Sequence, residues 1–482
     1  MTDVLAVASE CAPLVKTGGL ADVVGALPRA LAPLGIRTRT LIPGYPSVLR
    51  ELDRSRVVWR DGNLFEGHGE VLAAVVDGLD LLVLDAPHLY ARDGSIYLDP
   101  QGVDWPDNPE RFAALCWAAA EIARDGLGDW KPTVMHCHDW QAGFAPVYLR
   151  ARAQAAPVGT VLTIHNVAFQ GLAPADRRGG LRLPAGGMHP GGFEYWGSIS
   201  ALKAGLVWSD RVTTVSPTYA SELMTPEFGM GLDGVLRTLP HGVDGILNGV
   251  DLDEWTPPYR NASGKRRHKD ALIAELGLGT TDGPLCVVVS RLTEQKGLDL
   301  LLEALPRLLD GGGQLALLGS GDAGLEKGFT EASRRPGVAV RLGYDAGLAK
   351  RLVAGGDAIL VPSRFEPCGL TQLYGLRYGT IPLVTLTGGL ADTVIPATPA
   401  GLRAKAATGI QVHPVTGDAL GRALGTLCDL YRDGETWRMM QRNAMRHPVG
   451  WGESAREYAR LYSEIRTRRA DPALSANGSR IV

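Results

Sequence analysis

Short apolar runs of β type alternate with helix-length amphipathic segments along most of this 482-residue chain. This alternation predicts parallel sheets that carry helices on both faces. A chain of this length exceeds one compact core, so two or three domains are expected. A polar stretch at 255–270 interrupts the alternation and is predicted to be a linker that leads into a helix. The predicted fold class is therefore α/β, with two doubly wound parallel-sheet domains.

The predicted elements fall into two sets. The strands of the first set are Val4–Ala8, Gly35–Ile42, Leu81–Asp85, Thr133–Cys137, Gly159–Ile164 and Arg211–Val215. The strands of the second set are Leu285–Ser290, Gln314–Leu318, Val338–Leu342, Ala358–Val361 and Ile381–Val384. The helix-like stretches include Leu20–Leu34, Pro109–Asp125, Ala142–Arg152, Ser198–Val207, Gly297–Leu309, Ala346–Gly355, Asp418–Arg432 and Glu453–Arg468. Ser216-Pro217 is a further predicted helix start, a capping hydroxyl followed by proline.

The hexapeptide Thr-Gly-Gly-Leu-Ala-Asp occurs twice, at Thr17–Asp22 and at Thr387–Asp392. Each copy follows an apolar run and precedes a helix-like run. A Gly-Gly pair there lets a ligand approach the main chain, and the free N–H groups of the next helix suit an anion such as phosphate. A tight β–α turn without a ligand explains one copy about equally well, but Lys16 before the first copy favours an anion site. Two such loops predict two similar lobes that face one ligand cleft.

Composition and charge exclude several classes of function. The net charge of −3 gives no general attraction to nucleic acid or to anionic lipid. The six cysteines are scattered without a C-x-x-C pattern, which favours a reducing compartment over a disulfide framework. The first residues carry no basic segment typical of a signal peptide, and no run approaches the ~20 apolar residues of a membrane span. We therefore expect a cytoplasmic protein with no nucleic-acid or membrane partner.

The densest polar cluster, Ser363–Thr371, lies between an apolar strand and a helix-like run. Pro367 stiffens this loop and Gly369 lets the backbone approach a ligand. Glu366 is therefore predicted to face the ligand, and the N–H groups from Gly369 to Thr371 to meet a diphosphate or a ribose. The alternative is a solvated acidic turn.

Two cations follow the first strand of the second set. Arg291 ends that strand, and Lys296 stands just before Gly297 and its helix. A guanidinium can bind phosphate oxygens in bidentate fashion, and an ammonium acts as a point charge. At an effective dielectric near 20, each cation within ~4 Å of a charge contributes about 4 kcal/mol before desolvation is subtracted. The pair could stabilise a leaving diphosphate without a metal; an ordinary helix-start loop with solvated basic residues is the alternative.

Two strands of the first set also end in polar residues. Thr163-Ile-His-Asn presents His165 and Asn166, and His136-Cys-His-Asp-Trp presents Asp139 and Trp140. The H-C-H spacing lacks the second pair of ligands that a structural zinc site needs, so no metal is expected. A carboxylate beside a flat apolar ring is typical of sugar recognition, although plain packing of Trp140 is nearly as good an explanation. Asn248 lies in a turn-like segment and could also face the cleft.

Together these segments resemble the glycogen and starch synthases, a family of retaining glycosyltransferases that use ADP-glucose. The resemblance spans most of the chain, in family order. One departure is Cys137, where another small or apolar residue is expected, and it affects no catalytic residue. The absence of a transit segment before Met1 favours the bacterial branch. The matching pieces are Lys16–Val23, His138–Trp140, Thr163–Asn166, Asn248–Asp251, Ser290–Gly297, Ser363–Thr371 and Thr387–Val394.

The resemblance implies a GT-B fold, two Rossmann-like lobes with the active site in the cleft between them. It implies an N-terminal acceptor-side domain at 1–250 and a nucleotide-sugar-binding domain at 251–450. A helix at 451–471 would cross back to the N-terminal domain, ahead of a tail at 472–482. The implied reaction transfers glucose from ADP-glucose to the non-reducing 4-hydroxyl of an α-1,4-glucan, with retained configuration. No cofactor or metal is implied, and the expected partners are ADP-glucose and glycogen.

The resemblance also implies roles for individual residues. The catalytic group comprises Glu366 at the glucose, Arg291 and Lys296 at the departing diphosphate, and His165 at the reacting face. The substrate-binding residues are Lys16, Gly18 and Gly19 at the donor phosphates, Asn166 beside His165, Asp139, Trp140 and Asn248 at the glucose, Tyr344 on the adenine, and Cys368, Gly369, Leu370 and Thr371 along the sugar and phosphates.

Three alternatives stay open at this point. The nearest is a related retaining transferase that uses UDP-glucose or another acceptor. A NAD-dependent oxidoreductase is disfavoured because Val4–Gly19 lacks a G-x-G-x-x-G motif directly after the first strand. A non-catalytic glucan-binding protein would have little need for Arg291, Lys296 and Glu366 together.

Overall fold

The structure of the chain is a computed structural model that describes residues 2–152 and 157–470. Within these residues the chain forms two compact units. The first unit comprises residues 2–152, 157–215, 220–247 and 451–470, and the second comprises 216–219 and 248–450. The domain limits at 250 and 450 stay predictions, whereas residue 471 and the predicted tail at 472–482 lie outside the described residues.

The strands are named in chain order. Those of the first unit are β1 (Thr2–Val7), β2 (Ile36–Pro43), β3 (Arg56–Leu64), β4 (Gly67–Val76), β5 (Leu79–Asp85), β6 (Val134–His138), β7 (Gly159–Ile164), β8 (Leu172–Pro174), β9 (Glu194–Tyr195), β10 (Ser198–Ser200), β11 (Arg211–Thr214) and β12 (Val243–Gly245). Those of the second unit are β13 (Leu285–Val289), β14 (Gln314–Gly319), β15 (Val338–Leu342), β16 (Ala358–Val361), β17 (Ile381–Thr385) and β18 (Ile410–Val412).

The helices are named in the same way. They are α1 (Gly19–Leu31), α2 (Pro46–Arg50), α3 (Pro87–Tyr90), α4 (Asn108–Asp125), α5 (Ala145–Arg152), α6 (Ala201–Trp208), α7 (Pro217–Glu222), α8 (Asp233–Arg237), α9 (Lys265–Leu276), α10 (Leu298–Asp310), α11 (Ala323–Ala332), α12 (Ala346–Gly355), α13 (Thr371–Tyr378), α14 (Gly388–Thr393), α15 (Pro399–Arg403), α16 (Gly417–Arg432), α17 (Gly434–Arg446) and α18 (Gly452–Ala470). None of these described helices combines the length and the apolar character needed to cross a bilayer.

The first unit is built on a nine-stranded sheet in the order β12-β11-β7-β6-β1-β2-β5-β4-β3. The strands from β12 to β5 are parallel, and β4 and β3 add an antiparallel edge. Helix α18 packs on this sheet through Tyr458, Tyr462 and Ile465, which share one buried cluster with Val4 and Val161. A separate small sheet has the order β8-β10-β9.

The second unit is a six-stranded parallel sheet in the order β15-β14-β13-β16-β17-β18. Its central strands β13 and β16 are almost entirely apolar, as strands covered on both faces require. Helices α10 and α16 bury leucines in the cluster on one face, and α9 and α12 do so in the cluster on the other. The two-sided covering is the reason why these strands were recognisable as continuous apolar runs.

All eleven predicted strands are present, with ends displaced by two residues at most. The predicted cap at Ser216 is also confirmed, because its hydroxyl accepts the N–H of Tyr219 at 3.1 Å at the start of α7. The hairpin β3–β4 was missed. Strand β3 is largely exposed and polar, and the apolar run at 71–76 in β4 was not assigned to a strand. Strand β18 was missed because it has only three residues.

Several predicted boundaries were wrong. The helix predicted at Leu20–Leu34 ends as an α-helix at Leu31, and the helix predicted at Ala142–Arg152 begins at Ala145. The helix predicted at Ser198–Val207 begins only at Ala201, because Ser198–Ser200 pairs as β10 and the Ser200 hydroxyl caps α6. The linker predicted at 255–270 is helical from Lys265 onward, where a basic segment conceals an amphipathic helix. The buried Lys265 ammonium donates to the Thr380 hydroxyl at 2.7 Å and to the Ala354 carbonyl at 3.0 Å.

Candidate active site

The predicted residues of the first unit lie where three neighbouring strands, β1, β6 and β7, end. The carboxyl ends of parallel strands meet at one edge of a sheet, so side chains distant in sequence come together there. Asp139 accepts the main-chain N–H groups of His165 at 2.7 Å and of Asn166 at 3.3 Å. The rings of His138 and His165 are hydrogen-bonded at 3.0 Å. We call His138, Asp139, His165 and Asn166 the first-unit cluster.

Asp139 is the most constrained member of this cluster. It has a φ of 55°, a left-handed conformation that is uncommon outside glycine and costs energy. Burial raises the pKa of its carboxyl to about 7, against the two amide hydrogen bonds, which lower it. Its hydrogen bonds fix the main chain at the end of β7 and therefore the position of the His165 ring.

The histidines of this region are neutral at physiological pH. Burial lowers the pKa of His165 to about 3 and that of His136 to about 3. Burial also lowers the pKa of His138, with the neighbouring histidines acting in the same direction. His136 bonds to the Tyr462 hydroxyl at 2.7 Å and to the Thr163 hydroxyl at 2.6 Å. The H-C-H segment therefore orders the core and the cluster through hydrogen bonds within the protein.

The first hexapeptide holds an anion that the chain itself supplies. The buried carboxylate of Glu10 accepts the N–H groups of Thr17 at 2.5 Å and of Gly18 at 3.3 Å, and the Thr17 hydroxyl at 2.6 Å. Lys16 pairs with Asp22 at 2.6 Å. Space is open around the position of a Cβ at Gly18, so a ligand can approach this loop. Sequence reasoning missed Glu10 as a site residue, although an acidic residue just after the first strand is a usable signal.

Trp140 is positioned mainly by packing. Its ring lies edge-to-face against Phe112, with centroids 4.9 Å apart. A Cβ at Gly171 would lie 2.2 Å from the ring, so the chain passes directly over it. The indole remains partly exposed, and its role in sugar binding stays a prediction.

The second unit brings Lys296 and Glu366 together across the adjacent strands β13 and β16. The Lys296 ammonium lies 2.6 Å from Oε2 of Glu366, and both side chains are mostly buried. The Ser363 hydroxyl donates to the same oxygen at 2.8 Å. We call Lys296, Ser363 and Glu366 the second-unit cluster. Ser363 belonged to the predicted loop, but its contact with Glu366 was not foreseen.

The two loops that carry this cluster are tied to each other. Arg364 forms a bidentate pair with Asp299 at 2.7 and 2.6 Å. The main-chain N–H of Arg364 donates to the Gln295 carbonyl at 2.8 Å, and the side-chain amide of Gln295 donates to the Phe365 carbonyl at 3.2 Å. These contacts hold the ammonium and the carboxylate in a fixed geometry, as a preorganised charged site requires.

The second hexapeptide supports this loop from behind. The N–H of Gly389 donates to the carbonyls of Glu366 and Pro367 at 3.2 and 3.1 Å. A Cβ at Gly388 would lie 2.0 Å from the Glu366 carbonyl oxygen, so only glycine fits. The interpretation of both copies as ligand loops therefore needs correction, because the Gly389 amide of the second copy is used by the protein itself.

Cys368 and Asn248 meet in the second unit. Burial raises the pKa of the Cys368 thiol to about 12, while a hydrogen bond with the Asn248 main chain acts in the opposite direction. The thiol is therefore neutral. It fills space in the packed interior and is a poor nucleophile. Oδ1 of Asn248 is buried and has no hydrogen-bond partner among the described residues, so it is available to a ligand hydroxyl.

The remaining predicted residues also follow strand ends in the second unit. Arg291 is exposed after β13, and its guanidinium forms no ion pair within the described part of the chain. Tyr344 follows β15 and is 82% exposed, so its ring face is free. Gly369, with a φ of 72°, and Leu370 lead into α13, which begins at Thr371. The first turn of such a helix has N–H groups without intrahelical partners.

No group of three or more His, Cys, Asp or Glu side chains is arranged to hold a metal ion within residues 2–152 and 157–470. The expectation that the reaction needs neither metal nor cofactor stays a prediction.

Comparison with known proteins identifies the family. The starch synthase catalytic domain family matches residues 3–238, and the glycosyl transferases group 1 family matches residues 283–429. The glycogen synthase of Paracoccus denitrificans is 63% identical over 466 residues, which cover 96% of this chain and all of that protein. The glycogen synthase of Jannaschia sp. is 57% identical over 470 residues, 96% of this chain and 99% of the relative.

Solved structures agree with these matches. The catalytic domain of starch synthase IV from Arabidopsis thaliana, bound to ADP and acarbose, is 31% identical with a TM-score of 0.86, and the match covers 97% of this chain and all of that one. Sucrose-phosphate synthase from Thermosynechococcus elongatus, 19% identical, covers 96% of this chain and 99% of its own with a TM-score of 0.61, and shares the fold. The predicted GT-B class with two Rossmann-like parallel sheets is confirmed. The chain belongs to the glycogen and starch synthase family of glycosyltransferases.

Proposed function

We propose that this glycosyltransferase moves glucose from ADP-glucose to the non-reducing 4-hydroxyl of an α-1,4-glucan and retains the anomeric configuration. The observation that carries the proposal is the Lys296–Glu366 contact of 2.6 Å, held by two interlocked loops at the ends of β13 and β16. A cation and a carboxylate fixed side by side suit a reaction that separates charge between a sugar and a diphosphate. The ADP named in the starch synthase IV structure supports the choice of nucleotide.

The leaving diphosphate is the first requirement of this chemistry. Breaking the anomeric bond places negative charge on the diphosphate, which Lys296 and the exposed Arg291 would neutralise. The first turn of α13, entered through Gly369 and Leu370, would donate N–H groups to the same phosphates. The free ring of Tyr344 would stack on the adenine.

The sugar is the second requirement. The neutral His165 ring can donate or accept a hydrogen bond without adding charge near the developing oxocarbenium ion. Asp139 holds the main chain of His165 and Asn166, and the unpartnered oxygen of Asn248 would accept a glucose hydroxyl. Trp140 would add an apolar ring edge beside the sugar.

We propose that retention proceeds without a covalent enzyme intermediate. The Cys368 thiol is buried and neutral, so it is a poor nucleophile. Glu366 is already held by Lys296 and Ser363, an arrangement suited to binding glucose hydroxyls. We therefore favour front-face attack by the glucan hydroxyl, assisted by the departing phosphate.

The direct test is incorporation of labelled glucose into glycogen. ADP-glucose and UDP-glucose are compared, each with and without glycogen, and the product is digested with an α-1,4-specific amylase. We expect glycogen-dependent incorporation from ADP-glucose that the amylase releases. Faster transfer from UDP-glucose would instead favour the related transferases, and incorporation that resists the amylase would contradict the linkage.

Lys16→Ala is expected to raise the KM for ADP-glucose about three- to tenfold with a smaller change in kcat. Lys16 lies on an exposed loop, where one screened charge contact contributes roughly 1 kcal/mol. Lys16→Arg keeps the charge and serves as the control, and steady-state kinetics at two salt concentrations measure the effect. An unchanged KM in Lys16→Ala would exclude the phosphate role.

A further inference from the structure

An exposed tryptophan of the first unit occupies a backbone conformation that tryptophan rarely adopts. Trp196 and Gly197 form the two-residue turn between β9 and β10, with φ angles of 49° and 83°. Positive φ at both positions defines a type I′ turn, where Asn and Gly are normally found. The indole is 84% exposed, so burial does not compensate for the strain. An outlier of this kind suggests a function for the side chain.

A second strained apolar residue lies beside it. Met230 has a φ of 49° and is followed by Gly231 at 77°. The Met230 carbonyl accepts the Tyr195 hydroxyl at 2.6 Å and the Gln170 amide at 3.0 Å. A Cβ at Gly231 would lie 2.8 Å from the Tyr195 oxygen and 3.4 Å from Nε1 of Trp196. The two turns are therefore locked together through Tyr195.

The surface formed in this way is apolar and largely aromatic, and its turns are held by hydrogen bonds. Phe169, which precedes Gln170, is a further exposed ring at 55%, and Met230 is 39% exposed. We call Phe169, Tyr195, Trp196 and Met230 the aromatic ledge. The side chain of Glu194 accepts the Gly197 N–H at 2.7 Å, which fixes the turn that carries Trp196. No element of the catalytic proposal uses any of these residues.

A groove adjoins the ledge through the same turn. It has a volume of about 520 Å³ and is lined by residues of β8 with Asp176, Gly197 and Ser198. The lining combines apolar groups such as Leu172 with one carboxylate and one hydroxyl. Flat rings beside a few hydrogen-bonding groups match a neutral chain of pyranose rings, whose C–H faces stack on aromatics while its hydroxyls bind polar groups.

We infer that the aromatic ledge and its groove are a docking site for an α-1,4-glucan chain. This inference rests on the proposed function, because it takes the acceptor polymer as the ligand. A glucan suits the surface better than a charged ligand, since the ledge carries no ionised side chain. Because hydrogen bonds already order the two turns that carry Trp196 and Met230, binding has no backbone of these turns to order and only side-chain rotamers to fix.

The test uses the full chain and three variants. Trp196→Asn removes the ring and suits the left-handed turn, so the fold is kept. Trp196→Phe retains an aromatic face. Val75→Asn is the matched control, since Val75 is an apolar residue of β4 with 71% exposure. Affinity electrophoresis in gels that contain glycogen gives Kd, and kinetics with glycogen and with maltotriose give two KM values.

We expect Trp196→Asn to weaken glycogen binding about tenfold, on the scale of one lost aromatic contact. The KM for glycogen should rise in parallel, the KM for maltotriose should rise less than about twofold, and Trp196→Phe should retain most of the affinity. Val75→Asn should behave as wild type. The inference is overturned if Trp196→Asn is retarded by glycogen as strongly as wild type. It is also overturned if the variant changes only the sedimentation coefficient, which would make the ledge a contact between copies of the chain.

The outcome is separable from that of the proposed function. If the wild-type chain transfers no glucose from ADP-glucose, the proposed reaction fails. A loss of glycogen retardation in Trp196→Asn would still establish the glucan site in that case. Conversely, normal transfer together with unaltered retardation rejects the site and leaves the reaction standing.

Discussion

Lys296→Ala is expected to lower kcat by a factor of about 100 to 1,000, the effect of removing one preorganised charge-stabilising group. The ammonium is mostly buried and lies 2.6 Å from Oε2 of Glu366, so neither water nor a mobile side chain readily replaces it. Its contribution should appear in kcat more than in KM, because the diphosphate gains charge on the way to the transition state. Steady-state kinetics with ADP-glucose and glycogen measure the change.

A second effect of this substitution has to be separated from the first. Without Lys296, the Glu366 carboxylate keeps the Ser363 hydroxyl as its one hydrogen-bond partner among the described residues and stands as an uncompensated charge. The double variant Lys296→Ala/Glu366→Gln removes that charge. If Lys296 acts on the diphosphate, the double variant stays at least as slow as Lys296→Ala. Recovery toward the rate of Glu366→Gln alone would show that Lys296 only positions Glu366.

The same unit offers a matched control. Lys269 and Asp357 form an ion pair of 2.7 Å whose side chains are also mostly buried, and the pair has no part in the proposed chemistry. Lys269→Ala should lower stability, as breaking a buried pair does, and change kcat less than about twofold. A kcat for Lys296→Ala within about threefold of wild type would remove Lys296 from the mechanism.

The extent to which sequence predicted this molecule follows from which residues are buried. Strands covered on both faces, such as β16, are continuous apolar runs, and their limits are visible directly. Polar residues at the ends of such strands were assigned to a site, because parallel strands end at one edge. Lys296 and Glu366, 70 residues apart, meet for that reason. Strand β3 is largely exposed and left no comparable pattern, whereas β4 has an apolar run at 71–76 that was overlooked.

The repeated hexapeptide shows where this reasoning stops. The same six residues bind an internal carboxylate, that of Glu10, in the first copy and support the carbonyls of the Glu366 loop in the second. A local motif specifies the available backbone conformations and N–H groups, but the group that meets them comes from another part of the chain. Those tertiary partners were outside the reach of motif reasoning, as were the left-handed conformations of Asp139 and Trp196.

Acid is expected to unfold the first unit through its buried histidines. His136, His138 and His165 lie side by side, and burial lowers the pKa of each below the ordinary value near 6.5. Between pH 6.5 and about 3 the unfolded chain binds protons that the folded cluster excludes, so stability falls as the pH is lowered. Each such histidine costs about 1.4 kcal/mol per pH unit, and a whole domain has only about 5–15 kcal/mol of stability.

Asp139 opposes this trend. Burial raises the pKa of its carboxyl from 3.8 to about 7, so in that range the folded state binds one more proton there than the unfolded state does. Its contribution to stability therefore increases as the pH falls through 7. Three histidines against one carboxyl leave a net loss of stability in acid, and unfolding of the first unit is expected well above pH 3.

Two variants shift this balance in opposite directions. His136→Gln removes one excluded proton and should flatten the dependence of the unfolding free energy on pH by about 1.4 kcal/mol per unit between pH 5 and 6. Asp139→Asn removes the compensating proton and should steepen it by a similar amount. Urea titrations followed by circular dichroism at a series of pH values measure both slopes, whatever the variants do to stability at pH 8. Equal slopes in wild type and His136→Gln would mean that His136 takes up its proton without unfolding, and the neutral histidine cluster would then be wrong.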